Sequence, residues 1–446
     1  MTRPILTTFS LLMFILPIAG TIALRNVLIG ALILMLIWYF LKENLASHFH
    51  KLDRDLLTIF AFFLVFLIYA FFHSVYLSEV PNWSLTEFRR TLFYAFVYFI
   101  VGMLLGDLAY RSQLISIRGM VTVVFFSMFV HILYIDLVAL DRLWSSGVIT
   151  RRYGGLIQHV TAANYVTNML LAMTMAEIVY RLRAKKRVLL VSDGVLYLLF
   201  AFCIVSTFIE SLRLGDISLV LLGIGSAFIF LYQNKEFPKL KRRIIAASFA
   251  LLLSVPLAYN ITMDPRWSKL IETVPLALNS ADSPHWLDQT VPMPKTESGH
   301  HVGGSNYERI FRAKKSLDFI ASDPVGIGYG KGAFGRAFEK IYPEYGTKVY
   351  HGRDSHSAIL SLAIGLGIPG IVLWFAFVYS VVKVAVKKLK ESYNYFAVMT
   401  LFIVMGMFSR SFVDTNMRDH IILQYMIILG VCLFLMIREK PSAQTK

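Results

Sequence analysis

Residues 55–77 read DLLTIFAFFLVFLIYAFFHSVYL, an apolar run whose only acidic or basic residue besides His73 is Asp55 at its start. About 20 apolar residues cross the hydrocarbon core of a bilayer as a helix, so this run predicts a transmembrane span. Similar runs recur along nearly the whole chain. They predict spans at approximately 5–23, 26–41, 55–77, 91–108, 119–140, 156–180, 188–208, 214–232, 244–261, 356–382, 394–411 and 419–437.

The composition supports one integral membrane domain over residues 1–446. Of the 446 residues, 57% are hydrophobic and only 16% are charged. The formal charge of +16 could indicate nucleic-acid binding, but most basic residues fall in short loops between spans and no nucleic-acid motif is present. The two cysteines, Cys203 and Cys432, lie inside apolar runs, which indicates small core residues rather than disulfides or metal ligands. The first run is kept as a helix because another span follows at once.

Basic clusters orient the spans. Residues 181–187 (RLRAKKR) follow span six, 239–243 (KLKRR) follow span eight, and four lysines between 383 and 390 follow span ten. These clusters lie on one side of the predicted bundle, together with both termini. Lysine and arginine concentrate in cytoplasmic loops, so this side is predicted to be cytoplasmic.

The short loops on the opposite side carry arginine and no lysine. Cations on that side go against the positive-inside rule and need another reason. The planar guanidinium group binds phosphate through two parallel hydrogen bonds, which an ammonium group cannot do. The pattern therefore predicts an extracytoplasmic site for a large phosphorylated substrate, among Arg25, Arg89, Arg90, Arg142, Arg151, Arg152, Arg213, Arg410 and Arg418.

The polar segment 262–353, between spans nine and ten, breaks the pattern of short loops. Its length predicts a small extracytoplasmic subdomain. The part from Pro265 to Gly304 appears irregular in sequence, whereas the spacing of apolar residues from Tyr307 to Ile320 predicts an amphipathic helix on the outer leaflet. The glycine-rich run Gly326–Gly332 fits a phosphate cradle less well than a flexible, tightly turning connection, because no strand precedes it.

The segment ends in His351-Gly352-Arg353-Asp354-Ser355-His356-Ser357, directly before span ten. A histidine at the mouth of a membrane helix can accept a proton from a hydroxyl near neutral pH. The alternative is that His356 only caps the helix, with help from Asp354 and Ser355. Spacing alone leaves both interpretations open.

A family resemblance favours the catalytic interpretation. His356-Ser357, nine further residues and Gly367-Ile368-Pro369-Gly370 resemble the signature of the bacterial O-antigen ligase family, although the usual following threonine is Ile371 here. Three more stretches are similar to the family: the one from Arg309 to Gly330, and the short motifs Arg152-Tyr153-Gly154-Gly155 and Ser211-Leu212-Arg213. The resemblance covers most of the chain.

What the resemblance implies is an all-α polytopic membrane protein of GT-C-like glycosyltransferase type, with about twelve transmembrane helices and a large periplasmic loop between spans nine and ten. It implies transfer of a glycan from undecaprenyl pyrophosphate to a lipid A core sugar at the periplasmic face of the bacterial inner membrane. The implied mechanism is inverting, without metal or cofactor. His356 would be the base or would orient the acceptor, and Arg213 and Arg309 would engage the pyrophosphate, with Arg312 one turn from Arg309.

Other residues have two interpretations each. Arg89 and Arg90 either bind phosphate or snorkel to the interface. Arg151 and Arg152 are adjacent, so one of them is structural and Arg152 is the candidate for the substrate. Asp414 either pairs with Arg418, four residues on, or orients a catalytic group.

Two alternative functions remain open at this stage. An O-antigen polymerase would use the same donor but a second lipid-linked glycan as acceptor. A transporter of a lipid-linked anion would require ionisable residues at mid-bilayer, broken helices and an internal repeat. No clear repeat is present, so transport is the weaker hypothesis.

Overall fold

The computed structural model describes residues 2–42, 53–112, 116–148, 150–233, 237–263, 266–279, 291–296, 299, 301–345, 353–417 and 419–438. Helices form the regular structure of these residues, apart from one antiparallel bridge between Lys295 and His301. The α-helices are α1 (Thr2–Ile15), α2 (Ile22–Lys42), α3 (Arg54–Phe72), α4 (Pro81–Phe88), α5 (Tyr94–Arg111), α6 (Ile117–Ser146), α7 (Val160–Ala184), α8 (Asp193–Glu210), α9 (Arg213–Gln233), α10 (Lys239–Met263), α11 (Arg266–Asn279), α12 (Gly304–Ser322), α13 (Ala333–Ile341), α14 (Ala358–Glu391), α15 (Tyr395–Ser411) and α16 (Asp419–Arg438).

The predicted all-α membrane architecture is confirmed in its main lines. A helix lies at each predicted span, and eight helical segments are long and apolar enough to cross a membrane. The first helix ends at Ile15 rather than near residue 23, and α1 and α15 are apolar but shorter than the eight. Helix α7 is not among the eight, because polar residues such as Asn164, Thr167 and Glu177 lie along it. These residues are buried inside the bundle, where neighbouring helices supply hydrogen-bond partners.

The centre of the bundle is the contact between α5 and α16. A Cβ atom at Gly102 would lie 2.1 Å from the carbonyl oxygen of Ile427, and one at Gly430 would lie 2.3 Å from that of Phe99. Small residues let helix backbones approach this closely, which maximises dispersion contacts in an environment where lipid is as apolar as the helices. Any larger side chain at these glycines would force the two helices apart.

The long helix α14 is broken at Gly367, whose φ of 67° and ψ of −172° are not helical. The amides of Ile327 and Gly328, in the glycine-rich run, donate hydrogen bonds to the carbonyls of Ile364 and Gly365 at 3.0 and 2.9 Å. The run therefore satisfies the backbone groups that the break exposes. The structure places the chain's own glycine-rich loop against the small residues that follow His356.

The segment 262–353 contains more regular structure than its sequence suggested. Helix α11 occupies part of the stretch expected to be irregular. The predicted amphipathic helix is confirmed as α12, but its apolar face packs on the protein itself. Phe311 and Phe319 form a cluster with Phe334 and Phe338 of α13, and Leu317, expected on the apolar face, is 60% exposed.

Candidate functional site

The turn from Asp354 to Ser357 presents His356 to solvent at the start of α14. His356 has a φ of 57°, a left-handed conformation that non-glycine residues adopt at a cost. The amide of His356 donates to Asp354 Oδ1 at 3.0 Å, and Ser357 Oγ accepts from the amide of Leu360 as the N-cap of the helix. The cap expected of Asp354 and Ser355 is therefore supplied by Ser357, and His356 is left outside the helix.

The loop between α15 and α16 holds this turn in place. The amide of Ala358 donates to the carbonyl of Asp414 at 2.9 Å, and the Ser357 hydroxyl donates to the carbonyl of Ser411 at 3.1 Å. The position of His356 thus depends on residues about 55 positions further along the chain, as well as on its own turn.

The environment of His356 favours a neutral imidazole. Burial lowers its pKa most; Asp354 opposes this, and the charges of Arg312 and Arg309 lower it further. Nδ1 lies 3.4 Å from Asp354 Oδ1, which favours the tautomer with its proton on Nδ1. Nε2 is then the nitrogen that can accept a proton. The side chain is 33% exposed, so a hydroxyl group can reach it.

Helix α12 carries two arginines one turn apart with different surroundings. Arg312 is fully buried, and it donates to Glu308 Oε2 at 2.7 Å and to the carbonyl of Asp354 at 3.1 Å. Arg309 is half-buried, and its terminal nitrogens make one hydrogen bond among the described residues, from Nη1 to the carbonyl of Val413 at 3.2 Å. Arg312 therefore fixes the His356 turn, whereas the guanidinium of Arg309 is more exposed and makes a single contact with a backbone carbonyl.

The third predicted arginine, Arg213, meets the same helix from another direction. It is the first residue of α9, directly after the turn at Ser211, where φ is 49°. Its Nη2 donates to Oδ1 of Asn306 in α12 at 2.7 Å, and its guanidinium lies 5.9 Å from the ring of Trp267. The structure thus brings Arg213, Arg309, Arg312 and His356 together around α12.

Asp414, next to this cluster, is hydrogen-bonded to two other side chains. Its Oδ2 accepts from the Tyr165 hydroxyl at 3.1 Å and from Arg410 at 3.4 Å. Arg410 is buried 3.7 Å from the Tyr165 ring, and its Nη1 donates to Asn164 at 2.7 Å. The predicted partner Arg418 lies outside the described residues. The carboxylate of Asp414 thus binds Tyr165 and Arg410, while its carbonyl accepts from the amide of Ala358 beside His356.

A buried network of polar side chains lies behind Asp414, and the sequence did not indicate it. Asn164 donates to Glu210 Oε2 at 2.5 Å, and Thr167 donates to Oε1 of the same carboxylate at 2.6 Å. These residues lie in two predicted apolar spans, and only the acidic residue at the end of span seven could have indicated a buried polar cluster.

Three candidate arginines lie outside the cluster. Arg89 and Arg90 are exposed at a π-helical turn after α4, and Arg152 is exposed with a φ of 56°. In the described parts of the chain no hydrogen bond or ion pair connects their side chains to His356 or α12. The amide of Arg152 donates to the carbonyl of Ile209 at 2.7 Å, so its backbone lies beside the turn that leads to Arg213.

The glycine-rich run is not a phosphate cradle. Besides the two amides that bind α14, the amide of Gly326 donates to Asp323 Oδ1, that of Tyr329 to Ser84 Oγ at 2.8 Å and that of Lys331 to Glu87 Oε2. The run is also not the flexible connection that the sequence favoured, because these bonds fix it to α4 and α14.

Across the residues that the structure describes, no three His, Cys, Asp or Glu side chains are grouped so that they could hold a metal ion. The positive charge near His356 comes from arginine.

Helices of this length and hydropathy, with a polar site at one end, define a multi-pass membrane protein. A family model described as O-antigen ligase matches residues 189–375, which include Arg213, α12 and His356. This match agrees with the resemblance found in the sequence: residues 189–375 are similar to the O-antigen ligase family, whose members resemble enzymes of lipid-linked glycan transfer. No curated protein matches the chain.

Proposed function

We propose that this protein is an O-antigen ligase that transfers a glycan from undecaprenyl pyrophosphate to a sugar hydroxyl of the lipid A core. The observation that carries the proposal is the arrangement around α12. Arg309 lies on this helix, Arg213 is bound to it through Asn306, and the same helix fixes the turn of His356 through Arg312. Anion-binding groups and a proton acceptor are thereby combined in one site.

The chemistry follows from the protonation state of His356. The acceptor hydroxyl attacks the anomeric carbon of the donor sugar, and the bond between that carbon and the diphosphate oxygen breaks. The hydroxyl proton passes to Nε2 of His356, while Asp354 stabilises the imidazolium through Nδ1. Attack from the face opposite the leaving group inverts the anomeric configuration. If His356 only orients the hydroxyl, the same contact with Nε2 serves that purpose.

The arginines act on the leaving group. Negative charge grows on the diphosphate as the glycosidic bond breaks, and fixed guanidinium groups stabilise that charge without a metal or cofactor. Arg309 has an Nε without a partner among the described residues, and its Nη1 bond to Val413 is 3.2 Å long. Arg309 and Arg213 are therefore the proposed diphosphate ligands; Arg89, Arg90 and Arg152 are secondary candidates for more distant phosphates.

The distribution of basic residues supports a periplasmic active site in the bacterial inner membrane. The cluster 181–187 lies at the end of α7 opposite Asn164, which contacts Arg410 in the network behind the site. If this cluster is cytoplasmic, as the positive-inside rule indicates, His356 and segment 262–353 face the periplasm.

The decisive experiment uses the purified protein in detergent with undecaprenyl-pyrophosphate-linked glycan and lipid A core acceptor. We expect His356→Ala to abolish glycan transfer and leave abundance unchanged. His159→Ala is the matched control, because His159 is exposed beside the start of another helix. Transfer by His356→Ala at the wild-type rate would contradict the proposed role.

The same assay tests the alternatives. An O-antigen polymerase would lengthen lipid-linked glycan without attaching it to the core acceptor. Joining of glycan to acceptor in detergent, where no gradient exists, would exclude a transporter of a lipid-linked anion.

A further inference from the structure

A basic cleft lies at the end of the bundle opposite His356. Helix α7 runs from Asn164, beside the active-site network, to Arg181, and this distance is about 25 Å at the helical rise per residue. The cleft has a volume of about 210 Å³ between the start of α6, the loop after α7 and the loop before α15. Its polar and aromatic lining includes Arg118, Lys186, Arg187, Tyr180, Tyr393 and Asn394.

A buried ion pair fixes one wall of this cleft. Arg181 donates through Nε to Glu177 Oε1 at 2.7 Å, and through its two terminal nitrogens to the carbonyls of Val191 and Leu189. The same Glu177 oxygen accepts from the amide of Val188 at 2.9 Å. The loop that carries Lys186 and Arg187 is therefore tied at three backbone positions to a carboxylate and a guanidinium inside the bundle.

The charges in the cleft are not balanced. None of its lining residues is Asp or Glu. Among the described residues no carboxylate lies within salt-bridge distance of Arg118 or Lys186, and Arg187 reaches only the exposed Asp193 at 3.6 Å. The opposite wall is formed in part by Tyr180 and Tyr393, whose rings stack with a centroid distance of 5.8 Å.

The positive-inside rule alone does not explain why the basic residues of this cleft are held in place. The positive-inside rule requires only that basic residues occur in a loop, and a mobile loop would serve equally well. Here the loop is held in one conformation, and its cations line a cleft whose lining also includes the apolar residues Ile117, Val188 and Phe396. Fixed cations beside apolar residues at helix ends are suited to a phosphate group at a membrane surface.

We propose that this cleft binds a phosphate-bearing anion, with the headgroup of an anionic phospholipid as its occupant in the membrane. Arg118, Lys186 and Arg187 would contact the phosphate. The site is separate from glycan transfer, so the proposed enzymatic function can fail without affecting it.

The experiment compares three proteins by native mass spectrometry and thermal unfolding in detergent. They are the wild type, the double variant Arg118→Gln/Lys186→Gln, and the control Lys239→Gln/Arg243→Gln. The control removes the same charges from exposed positions in another basic cluster, outside the cleft. The ligands are phosphatidylglycerol, phosphatidylcholine and, separately, inorganic phosphate.

We expect the wild type and the control to retain phosphatidylglycerol in preference to phosphatidylcholine, and the cleft variant to retain at least about fivefold less, a loss of about 1 kcal/mol. Stabilisation of wild type and control, but not of the cleft variant, by inorganic phosphate alone would support the phosphate site with a soluble anion as occupant. Equal retention of phosphatidylglycerol by all three proteins, or equal loss in both variants, would overturn the proposal. Unfolding in phosphatidylcholine alone verifies that the variants fold.

Discussion

The two ends of the bundle both contain arginines, but they use them differently. At one end Arg181 is 9% exposed and donates to two carboxylates and two carbonyls. At the other end the described contacts of Arg309 include one hydrogen bond, to a carbonyl. Of the five N–H donors of a guanidinium group, Arg181 thus uses four within the fold, whereas Arg309 uses one, which leaves more donors for a ligand. This difference, rather than the presence of arginine, distinguishes a structural position from a substrate site.

The largest expected effect is a loss of stability on substitution of Arg181, at the structural end of the bundle. Arg181→Met leaves the fully buried carboxylate of Glu177 without its charge partner, which typically costs about 3–5 kcal/mol. We expect a matching loss in the free energy of unfolding, measured by denaturant titration in mixed micelles. Arg187→Met is the control, because its side chain is 53% exposed and its ion pair with Asp193 is long. Equal destabilisation by both substitutions would remove the distinction between the two positions.

The next effect tests the ligand-binding end. Arg213→Ala should reduce glycan transfer on the order of 100- to 1000-fold, the usual cost of losing one donor to a developing anion. Arg213→Lys should also lose most activity, because an ammonium group cannot bind the diphosphate through two hydrogen bonds. Rates are measured with purified donor and acceptor, with Arg54→Lys as an exposed control outside the predicted site. Near-normal turnover of Arg213→Lys would argue against two-point binding.

The sharpest test compares two arginines on one helix. Arg312→Met removes the partner of Glu308 and a donor to the carbonyl of Asp354, so we expect a stability loss of about 1–3 kcal/mol. Arg309→Met should leave unfolding nearly unchanged and mainly reduce the transfer rate. Equal losses of stability in the two variants, or equal losses of transfer rate, would show that Arg312 and Arg309 do not have separate roles.

The smallest expected effect is a displacement of the pH profile. In the proposed mechanism the active form of His356 is neutral, so transfer should decline as pH falls through its pKa, which burial places below the ordinary value of 6.5. Arg309→Gln removes a charge that lowers this pKa, so the acid limb should move to higher pH; Asp354→Asn should move it to lower pH. The transfer rate of each variant is measured against pH and normalised to its own maximum. Displacements of the acid limb in the opposite directions would contradict the assignment of His356 as the proton acceptor.

The sequence predicted those features that depend on local pattern. Apolar runs placed the helices, and the spacing from Tyr307 to Ile320 predicted α12. It could not predict that the apolar face of α12 packs on Phe334 and Phe338, because an amphipathic period does not specify whether lipid or protein covers it. The break at Gly367 was also missed, since the amides that stabilise it come from about 40 residues earlier in the chain.

The sequence likewise predicted only part of the candidate site. His356 and the arginines were found from residue type and side of the membrane, but Arg309 could not be separated from Arg312 until the contact of Arg312 with Asp354, 42 residues away, was known. Arg410 was recognised only as one of several outer arginines. Its burial depends on Asn164, which is 246 residues distant in the chain.

The interruption of α14 has a mechanical consequence. The stretch from Ala358 to Leu366 is continuous in sequence with a transmembrane helix but is joined to it through a left-handed glycine, and its last carbonyls are held by the segment beside Pro324. This short arm is therefore fixed at both ends, by the glycine-rich run near Gly367 and by the carbonyls of Ser411 and Asp414 beside His356. The break at Gly367 lets the arm that bears the imidazole take a direction different from that of the helix after Ile371.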